Sequence, residues 1–237
     1  MDTGLSGKVA VVTAASAGLG KAVATAFGAE GANVVMCSRS QERVEAAAAD
    51  VRDRGADVLA LEADVTRPED IERLFSAAVE RFGGVDVLVT NAGGPPAGTF
   101  DRFDDDDWQR AFELTLMSAV RLIRRAIPEM RARGGGSIVV MTSSSIKQPI
   151  PNLLLSNVMR AGVAALAKTL ADELAGDNIR VNTLVPGRSA TQRIEELDRA
   201  NAERQGVDVE TVTRQQLASI PMGRYGDPAE FAAGAVF

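Results

Sequence analysis

Ser143, Ser156 and Arg160 stand thirteen and four residues apart, the first just after an apolar run and the other two at the start of a helical stretch, 156–175. Their chemistry is narrow. A serine hydroxyl is a poor acid. An arginine stays charged near neutrality, so it can stabilise an oxyanion or bind sugar hydroxyls but cannot shuttle a proton. Lys147 follows the run Ser143-Ser144-Ser145 by two residues and is either an alternative proton donor or an exposed loop lysine. The chain has no histidine, which excludes His-dependent triads and His-ligated metal sites. Its one cysteine, Cys37, lies in an apolar run and reads as a buried structural thiol.

A second group of residues suits phosphate. Thr13-Ala14-Ala15-Ser16-Ala17-Gly18-Leu19-Gly20 leads from an apolar run into a helix. Gly18 and Gly20 lack side chains where backbone approaches a pyrophosphate and where helix packs on strand. The phosphates would meet the helix's free N–H groups and the positive end of its dipole. Ala14 is harmless if its φ is negative; a positive φ would cost of order 1 kcal/mol. Ser38-Arg39 follows the second apolar run, where an acidic residue would accept hydrogen bonds from an NAD ribose. An arginine with a hydroxyl beside it suits a 2′-phosphate, so NADP(H) is expected ahead of NAD(H); the other reading of Arg39 is a solvated loop arginine. Asp101 and the acidic run 104–107 lack EF-hand spacing and read as a solvated helix start, and no metal is expected.

The elements that must position these residues alternate along the chain. Strands are expected at 8–13, 33–37, 58–63, 85–90, 137–142 and 179–185, and helices near 19–30, 41–54, 69–82, 107–133 and 157–175. Continuous Val, Ile and Leu runs mark strands buried on both faces, hence an α/β fold with a doubly wound parallel sheet of Rossmann type. The triplet Gly134-Gly135-Gly136 turns the long helix into the fifth strand. No linker or repeat interrupts the chain, so 1–237 reads as one domain. The polar stretch 188–220 follows Pro186-Gly187 at a strand's carboxyl end and reads as a helical insertion covering the ligand edge. The chain stops at Phe237 inside a helix begun by Asp227-Pro228.

The 237 residues are 46% hydrophobic and 24% charged, with a formal net charge of −6. No excess of positive charge recommends nucleic acid or an anionic membrane surface as a partner. The start, Met1-Asp2-Thr3-Gly4, has no signal-peptide pattern, no run is long enough to span a bilayer, and one cysteine fits a reducing cytoplasm.

These residues resemble the short-chain dehydrogenase/reductase family over nearly the whole chain. The glycine segment resembles the family's T-G-x-x-x-G-x-G pattern, with Ala14 for the first glycine. Asp64-Val65 falls where the family places a carboxylate on the adenine amine and a backbone contact beside it. Asn91-Ala92-Gly93 resembles its N-A-G signature along the cofactor, and Thr191 its contact to the nicotinamide amide. The resemblance implies a catalytic serine at Ser143 and a tyrosine and lysine where Ser156 and Arg160 stand. It also implies an asparagine where Thr115 stands. Arg160 inherits the contact to the nicotinamide ribose, and the standard proton relay is absent. The pattern is similar to a β-ketoacyl-acyl-carrier-protein reductase-like subgroup with imperfect motifs that shares Asn91-Ala92-Gly93-Gly94-Pro95-Pro96 and Ser156-Asn157…Arg160. The resemblance implies an oxidoreductase on a small carbonyl or alcohol, assembled as a homodimer or homotetramer through the helices 107–133 and 156–175. Members of the family usually continue into a last strand. The rival readings are a nucleotide-binding pseudoenzyme that senses or scaffolds, and a subunit whose helix faces bind a catalytic partner chain.

Overall fold

The computed structural model describes residues 2–237; Met1, the first residue of the expected domain, lies outside the described residues. Six strands form one parallel sheet: β1 Val9–Val12, β2 Asn33–Ser38, β3 Val58–Glu62, β4 Val87–Thr90, β5 Gly136–Met141 and β6 Ile179–Leu184. Their order is β3-β2-β1-β4-β5-β6, with Val11 opposite both Val35 and Leu88. The order reverses between β1 and β4, and the crevice above that switch point is where open α/β sheets bind ligands.

Alternation along each strand divides the core in two. Val9 and Val11 join Phe75, Leu122 and Ile138 on one face; Ala10 and Val12 join Phe27, Met36 and Val44 on the other. Helices α1 Gly18–Ala29 and α2 Gln41–Arg52 cover the second face, and α3 Pro68–Phe82 covers the first. With helices on both faces, inward and outward positions are equally apolar, which is why the inner strands read as unbroken hydrophobic runs. Strand β6 departs from the expectation: as an edge strand it is buried at Ile179 but exposed at Arg180, Asn182 and Thr183.

Three helical segments differ from the sequence expectation. The stretch 107–133 is not one helix but α4 Asp105–Ala111, a π-helical segment Phe112–Met117, and α5 Ser118–Ala132. Wider turns of this kind break the regular hydrogen-bond ladder and often mark functional positions. The acidic run is a capping box: Asp104 accepts the Asp107 N–H at 2.8 Å and Asp107 accepts the Asp104 N–H at 3.3 Å. Helix α6 spans Leu154–Glu173, so Ser156 sits within its first turn rather than opening it. The stretch 188–220 folds as two helices. The first, α7 Gln192–Gln205, ends at Gly206 with φ +66°; the second, α8 Val209–Ala218, is capped by the Asp208 carboxylate. The chain continues into α9 Pro228–Val236. Trp108 and its neighbours Phe103 and Phe112 pack on Leu155 and Met159 of α6.

Candidate active site

Strand ends build one side of the crevice. The Thr13 hydroxyl donates to Asn91 O at 2.7 Å and accepts the Asn91 N–H at 2.9 Å, and Asn91 Nδ2 donates to Ala14 O at 3.3 Å. Thr13 is fully buried, so these bonds lock β1 to β4 at the switch point, leaving Ala92 half-buried and Gly93 exposed beyond it. Ala14 adopts φ +48°, the costlier of the two conformations open to it. Gly18 adopts φ +54°, and a Cβ on Gly20 would collide with Ala14 O and lie 2.8 Å from Asn91 Nδ2. Close approach, not only flexibility, requires glycine at 20. The residue before α1 is Ala17, which supplies no side-chain cap, so the first N–H groups of the helix have no such partner. Ser16 and Leu19 flank the turn, both half-buried.

Farther along the edge, Ser38 Oγ donates to Ser40 O at 2.9 Å and accepts the Ser40 N–H at 3.3 Å, which ties Ser38 into the turn before α2. Arg39 is exposed. Asp64 Oδ1 accepts from the Thr66 N–H at 2.9 Å and Thr66 Oγ1 at 2.8 Å, which leaves its second oxygen unused by those bonds; Val65 beside it is buried. An uncapped helix start, a close-approach glycine, an outlying arginine and a half-used carboxylate along one sheet edge fit a dinucleotide.

The other side comes from β5 and α6. Ser143 Oγ accepts the Ser145 N–H at 3.2 Å, which leaves the hydroxyl proton able to donate. Arg160 Nε donates to Ser156 Oγ at 3.3 Å, and Nη1 lies 3.3 Å from both Met141 O and Thr142 O. Burial pulls the Arg160 guanidinium down from its usual pKa, and the charge of Arg193 pushes it the same way. Arg160 and Thr115 share a cavity of about 10 Å³ with Thr90, Asn91 and Ser118, near the smallest space that holds one water. Thr115 comes from the π-helical segment, and its buried hydroxyl has no hydrogen-bond partner in the protein. Lys147, after the short helix Ser144–Ile146, is exposed. A larger cavity, about 280 Å³, lies at the opposite edge among Lys8, Asp86, Gly134 and Arg180, away from all these groups.

After β6 the chain passes half-buried Pro186 and exposed Gly187, then pairs Ser189 with Gly226. Thr191 precedes α7 with its methyl 3.6 Å from where a Gly18 Cβ would stand, so α7 starts over the glycine turn. Sequence reasoning missed three groups here. Arg193 Nη2 contacts Pro95 O at 3.4 Å across 98 residues. Asn157 accepts the Ile150 N–H at 3.3 Å and donates to Ile150 O at 2.9 Å, stapling the turn before α6. Tyr225 donates to buried Asp198 of α7 at 2.5 Å, with Arg188 3.7 Å from the same carboxylate. Each joins residues distant in sequence or hidden in a turn. Only the Asp198–Tyr225 pair carried a signal, a lone tyrosine in a polar segment.

Fold and crevice together define a Rossmann-type nucleotide-binding architecture. The family profile described as short chain dehydrogenase matches residues 8–202, and the chain belongs to that family. Human Dehydrogenase/reductase SDR family member 4 is 39% identical over 184 residues, 77% of this chain and 66% of its own length, so the match spans just under two thirds of that relative. The 3beta-hydroxysteroid dehydrogenase 1 of Eggerthella lenta is 39% identical over 237 residues, 98% of this chain and 87% of its own. Among solved structures, L-sorbose reductase from Gluconobacter frateurii, complexed with NADPH and L-sorbose, superposes with a TM-score of 0.94 at 38% identity. It covers 100% of this chain and 91% of that one. A single-residue variant of actinorhodin polyketide ketoreductase with NADPH gives 0.93 at 32% identity, covering 96% and 88%. Family members use a nicotinamide dinucleotide on small molecules. Among the described residues no helix is long and apolar enough to cross a membrane, and no group of three His, Cys, Asp or Glu residues could hold a metal.

Proposed function

We propose that this chain is an NADP(H)-dependent oxidoreductase acting on a carbonyl or alcohol of a small molecule, a 3-oxoacyl compound included. The carrying observation is that the uncapped start of α1 and the free donor proton of Ser143 stand at the same sheet edge. NADPH bound there supplies hydride. Gly18, Gly20 and the α1 N–H groups hold its diphosphate, Arg39 its 2′-phosphate and Asp64 its adenine. Thr191 would hold its amide, and Arg160 would bind its nicotinamide ribose. Ser143 donates to the reacting oxygen. Arg160 stabilises charge developing on that oxygen, and the proton arrives from solvent or from Lys147. Ser156, which accepts from Arg160, orients the guanidinium.

The second reading is a nucleotide-binding pseudoenzyme, favoured by the absence of a neutral-range acid on α6. A screen of NADPH oxidation with ketones and β-ketoacyl thioesters, run beside calorimetry, separates the two. Turnover supports the enzyme. Tight NADPH binding with no turnover in the wild type or in Ser156→Tyr/Arg160→Lys supports the pseudoenzyme. The outer faces of α5 and α6, where Val158 is exposed, are proposed as the surface of a homodimer or homotetramer.

A further inference from the structure

We propose that Arg193 is a specificity-determining residue that selects substrates bearing a carboxylate beside the reacting carbonyl. This rests on the reading that Ser143 and Arg160 face the reacting oxygen. The placement of Arg193 is its first support. From the first turn of α7 it lies against the loop after β4, with Nη2 3.4 Å from Pro95 O and 3.2 Å from where a Gly94 Cβ would stand. A side chain at 94 would touch the guanidinium and shift it by a few tenths of an ångström, so the two meet across the crevice loop.

The second support is an unbalanced charge. The nearest recorded carboxylate of Arg193 is Glu196 at 3.7 Å, with both side chains nearly half exposed, a pair that water screens. Its charge reaches Arg160. The chain is net negative, yet these two guanidinium groups lie near enough for one charge to act on the other. Like charges held near one another favour a bound anion.

The chemistry selects the anion. Arg160 already directs Nε to Ser156 and Nη1 to two backbone carbonyls. Arg193 gives Pro95 one long contact and keeps most of its planar fork. A fork with two parallel N–H groups matches one carboxylate. A phosphate fits the same fork, but its second charge is left unmatched by Arg193, whereas a carboxylate is balanced by it. Because Arg193 rides on α7, an acid bound to it would also draw α7 toward the loop.

The test uses the full chain loaded with NADP+, which cannot reduce a ketone, so binding is read at equilibrium. The probes are pyruvate, acetoacetate and levulinate, each beside its methyl ester, with inorganic phosphate as a separate arm. At least one acid should bind about ten-fold or more tightly than its ester. Arg193→Ala should remove that gap while leaving the ester and NADPH affinities unchanged, and Arg193→Lys should retain part of it. Equal binding of acid and ester in all three pairs overturns the proposal, as does phosphate binding more tightly than every acid. A rise in the NADPH Kd of Arg193→Ala equal to its loss for the acid assigns the residue to the cofactor instead. If the wild type fails to bind NADP+ at all, the earlier reading falls. The same titrations on the unloaded chain then decide the carboxylate site on their own.

Discussion

Ser143 and Ser156 carry the same hydroxyl into different surroundings, so alanine should separate them. Ser143 has its acceptor lone pair occupied by a backbone N–H and its proton free, the geometry of a donor to a reacting oxygen. Ser143→Ala should lower kcat by about 10²-fold, the scale of one oxyanion donor. Ser156→Ala removes only an acceptor from Arg160 and should keep kcat within about ten-fold, well short of a lost general acid at about 10²–10⁴. Single-turnover rates measure both, and equal losses would make Ser156 a working catalytic group. Lys147→Ala then tells a lysine-borne proton from a solvent one. Ala14 is a separate case. Its φ of +48° suits glycine, and Ala14→Gly should raise stability in urea titration by less than about 1 kcal/mol, the relieved strain being partly offset by the freer unfolded chain. An unchanged or lower midpoint would show that the Asn91 bond to Ala14 O, not the strain, governs the turn.

Helix α7 is held over the glycine turn by a buried polar contact at its middle, besides the Arg193 contact to Pro95 O at its start. Asp198 is 2% exposed, accepts from Tyr225 and lies near Arg188, so the covering segment is pinned to both of its flanking turns. Burial, reinforced by Asp198, pushes the Tyr225 hydroxyl up to about 12. The unfolded tyrosine titrates near 10, so between these values the unfolded state binds fewer protons and stability falls as pH rises. Thermal unfolding should show this alkaline limb in the wild type and a shallower one in Tyr225→Phe, the remainder coming from the Cys37 thiol, which burial also pushes up to about 12. That variant should also cost about 1–3 kcal/mol at neutral pH by stripping a partner from a buried carboxylate. Even so pinned, α7 and α8 carry few buried side chains, and their amide exchange should slow when NADPH binds. Full protection without ligand would argue against a covering role. The element scale also shows where sequence reading stopped. Strand positions were legible because Val9–Val12 and its neighbours are apolar on both faces, a pattern only a doubly covered sheet needs. The split of 107–133 was not, since a π-helical turn leaves the 3.6-residue period almost intact. The carboxyl-edge residues could be placed because each follows a strand by a fixed step, whereas Arg193 meets Gly94 only through the tertiary fold.

For the whole molecule, the proposed preference for NADP(H) rests on charge. With a net charge of −6, an approaching dinucleotide meets repulsion except where local cations reverse it, and Arg39 is the cation at the end of β2. NADPH should bind roughly ten-fold or more tightly than NADH, and Arg39→Asp should erase or invert that preference in calorimetry. Equal affinities in the wild type would remove the role given to Arg39. Because the contact is exposed, the preference should shrink as salt is raised. The aromatic cluster beside α6 has a spectroscopic consequence. Trp108 is the sole tryptophan, and it rests on Leu155 and Met159, the residues that bracket Ser156 and lead to Arg160. All indole emission therefore originates at one address next to the reacting centre, where reduced nicotinamide absorbs the same light. Loading with NADPH should quench that emission by energy transfer, and its oxidation should bring the light back, turning the native chain into an unlabelled optical reporter of its own redox state.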